Sequence, residues 1–274
     1  MKVLVTGHRG FIGQNLIKYI HEHTDWEVNG WEWGDSTVPT VGGYDWVFHL
    51  GAVSSTTEQD VDKVIKQNLE FSQWLFNACK INFVNLQYSS SASVYGLSSD
   101  FKEDSPASPQ TPYAWSKFLF DRWVAQQQQQ PAYNCVVQGF RYFNVYGNLE
   151  EHKQDQASPV TKFKKQSQSG TIKLFKDSDK YLRDFVAVED VCRTHVKFVH
   201  VKESGLWNIG TGNPVSFEHV AQLIAKKTNA QIEYIDMPDI LKRSYQAYTC
   251  ADLTNLKAAI GPQQWISVEE WLKS

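Results

Sequence analysis

The chain has 274 residues, 42% apolar and 21% charged, enough to bury a sizeable core and too apolar for a disordered segment. Its formal net charge of −3 gives no bulk attraction for nucleic acid or an anionic membrane surface, and no apolar run approaches the ~20 residues of a membrane helix. The opening MKVLVTGHRGFIG lacks the order of a signal peptide, so a cytoplasmic location is expected.

Residues 2–6 (KVLVT) form an apolar run suited to a buried strand. Phe11, Ile12, Leu16, Ile17 and Ile20 then recur at helical spacing, predicting a helix over 11–22. A second strand is expected at 27–33 and a third within 44–52 (YDWVFHLGA). Helical patterning follows over 60–79, strand-like runs at 83–89 and 135–143, and a helix over 111–130 between them. Strands alternating with helices predict a parallel sheet covered on both faces. The stretch from Trp33 to Tyr44 is too short for a crossover with its own helix, so that edge of the sheet is expected to be trimmed. Beyond Gly147 the chain turns polar and lysine-rich over 148–182, 184–191 (DFVAVEDV) reads as a strand returning to the main sheet, and 211–274 mixes helix and short strand. The fold class is therefore α/β: a Rossmann-type doubly wound parallel sheet with one trimmed edge, and a smaller interleaved α+β lobe. Residues 1–147 plus 184–210 make up the first domain, and 148–183 plus 211–274 the second.

Gly7, Gly10 and Gly13 follow a strand and open a helix. Small residues there let a backbone approach a dinucleotide pyrophosphate at the helix N-terminus. Two residues bear on the cofactor's 2′ position. Glu32, at the end of the second strand, suits a free ribose hydroxyl and thus NAD, whereas Arg9 inside the loop can grip a 2′-phosphate. Glu32 could also simply pair with Arg9. On Arg9, NADP is the favoured cofactor, with NAD the alternative.

Tyr113 and Lys117 form Y-x-x-x-K on the 111–130 helix, where i and i+4 share a face. An ammonium beside a phenol favours the phenolate, so the tyrosine can exchange a proton with a carbinol. Ser91, in YSSSASVYG at 88–96, offers a hydroxyl partner, while Ser89 and Ser90 read as strand-end and turn hydroxyls.

The glycine loop, HLGA at 49–52, SSSASVYG, Y-x-x-x-K and RYFNVYG at 141–147 together resemble the extended short-chain dehydrogenase/reductases that modify nucleotide sugars. More narrowly, SSTTE within 51–60, EHK at 151–153, RDFV at 183–186, NIGTG at 208–212 and YQAYTCADLTNLKAA at 245–259 resemble the ADP-L-glycero-D-manno-heptose 6-epimerases. The resemblance implies two acid/bases, Tyr113 and Lys153, on opposite sides of the reacting carbon, with Lys117 and Ser91 supporting Tyr113. It implies cofactor contacts from Phe11, Ile12, Leu50, Gly51, Ala52, Val53, Ser54, Asn68 and Val145, and a bond from Lys117 to the nicotinamide ribose. Asn144, Phe175, Arg183 and Tyr245 would hold the sugar nucleotide in the second lobe. A homo-oligomer and a role in lipopolysaccharide precursor synthesis are also implied.

The chain departs from that family at Asp155, at Lys162, where a histidine is usual, and at Lys176, Asp177 and Ser178, all positions that meet substrate in the family. Lys162 and Lys176 could meet a pyrophosphate, which Asp155 would repel. Ala92 and Ser93 stand where 4,6-dehydratases need an Asp-Glu pair, which counts strongly against a 4,6-dehydratase. Other nucleotide-sugar epimerases or reductases remain as alternatives, and a non-catalytic dinucleotide sensor is disfavoured because both Tyr113 and Lys117 are present. His49 reads as a satisfied core histidine, and Asp184 as a partner for Arg183. Cys79, Cys135, Cys192 and Cys250 are too far apart for a zinc motif, so no metal is expected.

Overall fold

A computed structural model describes residues 1–129, 135–239 and 246–273, excluding the side chain of Asp155. Its first half runs β1 (Lys2–Thr6), α1 (Phe11–His23), β2 (Glu27–Trp31), β3 (Trp46–His49), α2 (Val61–Val64), α3 (Phe71–Asn82), β4 (Asn85–Ser91), α4 (Pro112–Gln128) and β5 (Val137–Tyr142). There follow β6 (Asn144–Tyr146), α5 (Pro159–Ser167), β7 (Thr171–Phe175), β8 (Leu182–Arg183), β9 (Phe185–Ala187), α6 (Val188–Phe198) and β10 (Gly205–Ile209). The last third adds β11 (Val215–Ser216), α7 (Phe217–Thr228), β12 (Gln231–Ile235), α8 (Thr254–Ile260) and α9 (Val268–Lys273).

Six parallel strands form the main sheet in the order β10-β5-β4-β3-β1-β2. Every residue of β3 and β5 is buried, as expected of strands packed on both faces. Residues 32–45 carry neither helix nor strand, so β2 ends the sheet and the trimmed edge is present. One face packs α3 and α4 against β3, β4 and β5, through Leu75, Phe76, Phe120 and Val124. The other packs α1 and α6 through Leu16, Ile20, Val188 and Cys192.

The strand expected at 184–191 divides differently. Only Phe185–Ala187 is extended, it pairs with β6 outside the main sheet, and α6 starts at Val188. The strand that returns to the main sheet is β10, beside β5. A pattern alternating apolar and acidic residues suits either state, and Glu189 and Asp190 sit where a helix N-terminus favours negative charge. The parallel pair β7–β12, with α5, α7 and α9, surrounds a separate apolar cluster that includes Val160, Ile172, Leu174, Val220 and Trp271. Within 211–274 one helix crosses back: Leu256 of α8 packs with Phe140 and Ile209 of the main sheet.

Asp184 joins these parts. Its fully buried carboxylate accepts the backbone N–H groups of Thr211 (2.7 Å), Gly212 (2.9 Å) and Ala251 (2.9 Å) and the Thr211 hydroxyl (2.7 Å). It thus ties NIGTG to the 246–253 segment, a role in place of the expected pairing with Arg183. Truncation would strand three backbone donors, so Asp184→Ala should cost about 3–5 kcal/mol of unfolding free energy. The urea midpoint measures this, and a loss below about 1 kcal/mol would mean that water replaces the carboxylate.

Candidate active site

Gly7 adopts φ +76°, and a Cβ on it would fall 2.4 Å from the Gly51 Cα; one on Gly13 would fall 2.1 Å from the Gly7 carbonyl oxygen. The glycine loop and HLGA are therefore packed backbone to backbone. Gly10 is different. A Cβ there would meet only the Gly7 oxygen, at 3.2 Å, and Gly10 caps α1 without a side chain. The first-turn N–H groups of α1 thus face a surface clear of side chains, and a dinucleotide pyrophosphate fits this cradle.

The other expected cofactor residues gather around it. Phe11 and Ile12 open α1, and Leu50 and Val145 pack beside them under the loop. Asn68 lies in a π turn, residues 65–70, between α2 and α3. Its side chain accepts from the Val53 N–H (2.7 Å) and donates to the Val53 carbonyl (3.0 Å) and to Ser116 Oγ (3.1 Å). It therefore holds Ala52 and Val53 and ties them to α4, while Ser54 stays exposed. Glu32 Oε2 accepts the Arg9 backbone N–H at 3.1 Å, and the Arg9 guanidinium pairs with Asp35, also at 3.1 Å. Asp35 carried no weight in the sequence.

The Thr111 hydroxyl accepts the Ala114 N–H and Pro112 occupies the first turn, which fixes where α4 begins and so where Tyr113 points. The Ser91 hydroxyl lies beside the Tyr113 phenol. Burial pushes the Tyr113 phenol above its usual pKa, and the neighbouring Ser91 hydroxyl partly opposes this. Lys117 Nζ lies 5.9 Å from the Tyr113 ring centroid and donates to the Ser89 carbonyl (2.8 Å) and hydroxyl (3.3 Å). Its own pKa falls to about 8, from burial, with Asp121 pulling the other way.

Asp121 was not foreseen, although it continues the Tyr113, Lys117 face of α4 by one more turn. Its carboxylate accepts from Arg141 Nε (3.0 Å) and the Ser90 hydroxyl (2.9 Å), all three groups being buried. Ser89 and Ser90, expected to be strand-end and turn hydroxyls, both lie in β4, buried, and hold Lys117 and Asp121. The available signal was a charge, Arg141, inside the apolar run GFRYF. His49 is a satisfied core histidine as expected, bonded to Thr6 and Ser72 at 2.7 Å each, with its pKa lowered by burial to about 3.

A cleft of about 440 Å³ opens beside Ser91 and is lined by Ser93, Thr111, Asn144, Arg183, Gln246 and Thr249 among others. Arg183 stacks over Phe217, 5.3 Å from its ring centroid. A second pocket, about 350 Å³, is lined by Lys162, Phe175 and Ser178 with Lys173, Tyr181 and Phe217. The expected substrate residues thus fall into two groups, with Arg183 stacked on a residue of the second. Lys176 and Asp177 line neither cavity. Lys176 pairs with exposed Asp236 (2.9 Å), and Asp177 pairs with exposed Lys180 (2.7 Å). Tyr245 and the Asp155 side chain lie outside the described residues.

Lys153 stands in a short helical stretch, residues 151–156, interrupted at Gln154 by a left-handed φ of +46°. Its ammonium lies 3.4 Å from Glu150 Oε1 and 5.3 Å from the Phe11 ring centroid. Glu150 is fully buried and pinned by the Ser158 N–H, the Ser158 hydroxyl and the Thr161 hydroxyl at 2.6–2.7 Å. Lys153 is therefore held against the residue that opens α1. Gln156, bonded to Thr57 at 3.1 Å, anchors this stretch to the SSTTE loop.

A family model described as the NAD dependent epimerase/dehydratase family matches residues 35–210. Among solved structures, the ADP-L-glycero-D-manno-heptose-6-epimerase of Helicobacter pylori is similar over 99% of this chain and 94% of its own, with TM-score 0.86 and 24% identity. A UDP-N-acetylglucosamine 4-epimerase from Methanobrevibacter ruminantium, in complex with UDP-N-acetylmuramic acid, covers 99% and 97% with TM-score 0.87 and 22% identity. RMD from Pseudomonas aeruginosa, complexed with NADPH, covers 99% and 96% with TM-score 0.82 and 22% identity.

The lowered pKa of Lys117 has a consequence for stability. Its folded value, about 8, lies below the roughly 10.4 of an unfolded lysine. Between these values the unfolded chain binds the extra proton, so this group makes stability rise with pH over that window, and its full cost is present below pH 8. Lys117→Met should therefore stabilise the fold at pH 7 by about 1–3 kcal/mol, with the gain shrinking as pH rises toward 10. Urea titrations of both proteins at pH 7 and pH 10 check this. A difference independent of pH would contradict it.

Proposed function

This chain belongs to the NAD dependent epimerase/dehydratase family, and we propose that it is an NAD(P)-dependent nucleotide-sugar epimerase acting on ADP-D-glycero-D-manno-heptose at C6″. The observation that carries the epimerase reading is the pair of proton-handling groups. Tyr113, beside Ser91, lies on one element, and Lys153, held by Glu150 against Phe11, lies on another. The finer heptose reading rests on SSTTE, EHK and QAYTCADLTNL.

When bound, the nicotinamide dinucleotide supplies reversible acceptance of a hydride. The protein's residues handle the proton. Tyr113 takes it from the C6″ hydroxyl as the carbinol becomes a ketone, acting from the phenolate that the Lys117 ammonium and the Ser91 hydroxyl stabilise and ending as the phenol. Rotation about C5″–C6″ carries the carbonyl oxygen to the opposite side, where Lys153 protonates it as the carbinol re-forms. One proton leaves through Tyr113 and one arrives through Lys153, and the hydride given up in the oxidation would be returned to the other face of the ketone, so no net redox change occurs. Asn144 and Arg183 hold the sugar end in the larger cleft, and Phe175 with Lys162 receives the nucleotide end in the second pocket. Ala92 and Ser93 offer no acid pair for eliminating water, which separates this site from a dehydratase.

Incubation with ADP-D-glycero-D-manno-heptose, followed by proton NMR of the sugar, tests the substrate. The expected result is conversion to the L-glycero epimer without accumulation of reduced cofactor. Turnover of another sugar nucleotide in its place would move the reading to a UDP- or GDP-sugar epimerase. Tyr113→Phe and Lys153→Met should each lower kcat by about 10²–10⁴ with the fold intact by circular dichroism. Full activity in Lys153→Met would remove the two-base scheme.

A further inference from the structure

The strongest feature outside the proton-transfer groups is the cluster beside the glycine loop. The Gly7 N–H donates to the Trp31 carbonyl at 2.9 Å, which fixes the loop to the end of β2 and brings Glu32 next to Arg9. Residues 32–35 then close a turn, with the Asp35 N–H bonded to the Glu32 carbonyl (3.0 Å) and Asp35 Oδ2 accepting the Glu32 N–H (2.8 Å). The other Asp35 oxygen holds Arg9 Nη2 at 3.1 Å. Glu32 accepts the Arg9 N–H through Oε2 and the Trp33 N–H through Oε1. Two carboxylates and one guanidinium therefore share the place beyond β2 where the ribose nearest the adenine meets a sheet of this kind. Their formal charges sum to minus one.

We infer that this chain selects NAD over NADP, and that Asp35 is the residue that turns Arg9 from a phosphate ligand into part of an acidic wall. The inference rests on the glycine loop being a dinucleotide cradle, and it reverses the expectation drawn from Arg9 alone. A ribose 2′-hydroxyl can donate to a Glu32 oxygen, each of which accepts only one N–H from the protein. A 2′-phosphate would face Glu32 and Asp35 together and would have to displace Asp35 from Arg9. The Arg9 side chain is two-thirds exposed, so its pairing with Asp35 is a weak lock. Discrimination comes chiefly from the two fixed negative charges. Removing the Asp35 charge both lowers that repulsion and frees Arg9, so a single substitution acts twice on NADP and little on NAD. The short 32–45 segment makes this arrangement available, because the turn that carries Asp35 follows β2 directly.

The test is competitive. Purified protein is equilibrated by dialysis with equal concentrations of NAD⁺ and NADP⁺, and the bound dinucleotides are released by heat and quantified by chromatography. The wild-type chain should hold NAD⁺ in about tenfold excess or more, and Asp35→Asn should bring the ratio down by about tenfold, through increased NADP⁺ uptake. Arg9→Ala in the Asp35→Asn background should reverse that gain. Equal or greater uptake of NADP⁺ by the wild type, or a ratio that Asp35→Asn leaves unchanged, overturns the inference and leaves the epimerase reading standing. Binding of neither dinucleotide overturns both.

Discussion

The site depends on one buried carboxylate. Asp121 lies one turn beyond Lys117 on α4 and faces Arg141 on β5, with Ser90 of β4 between the two elements. Burial raises the Asp121 carboxyl pKa, and the Arg141 guanidinium and Ser90 hydroxyl pull it back down. Arg141 in turn donates to the Glu103 carbonyl (3.0 Å) and stacks over Tyr95, 4.9 Å from its ring centroid. A buried pair of this kind is weak evidence for stability, because desolvation consumes much of the attraction. What it supplies is position. It sets the rotation of α4 against the sheet, and through that rotation the depth of Lys117 and the direction of Tyr113.

A second set of buried polar ties fixes the layers around that pair. The ring of His195 lies between Gln87 Oε1 and the Tyr142 hydroxyl, 2.6 Å from each, and burial lowers its pKa to about 3. Gln87 also donates to Gln138, 2.9 Å away on the adjacent strand. Neutral histidine suits this place, since one ring nitrogen must donate to an amide oxygen while the other can accept from a phenol. Such satisfied networks rigidify a core. Here they join α6, β4 and β5, the elements on which Ser91, Tyr142 and the RYFNVYG segment depend.

Much of the site was legible because its signals are local. Gly7 and Gly13 mark a close backbone approach that a Cβ would block, and Tyr113 and Lys117 meet because a helix brings i and i+4 together. The strand and helix order over 1–128 followed from periodicity for the same reason. What escaped depends on partners remote in sequence. Arg141 is 20 positions from Asp121, and Asp35 is 26 from Arg9. Phe185–Ala187 is only three residues long, so its pairing was decided by β6 and not by its own pattern. Phe175 and the departing residues 176–178 were all expected to meet substrate, yet a left-handed turn at Asp177 sends Phe175 and Ser178 inward while Lys176 and Asp177 face solvent.

The knot at Asp184 also orders events in time. Five strands of the main sheet, β1 to β5, are complete by Tyr142, so most of that sheet can assemble on a chain still being synthesised. The Asp184 carboxylate finds Thr211 and Gly212 only later, and Ala251 later still, 67 positions downstream. Until the 246–253 segment emerges and docks, the wall it contributes to the larger cleft, Gln246 and Thr249, is missing. The cradle of the glycine loop can therefore form on the nascent chain well before the sugar end of the site. Binding of the dinucleotide at that stage would favour the compact state of the first half while the rest is still emerging.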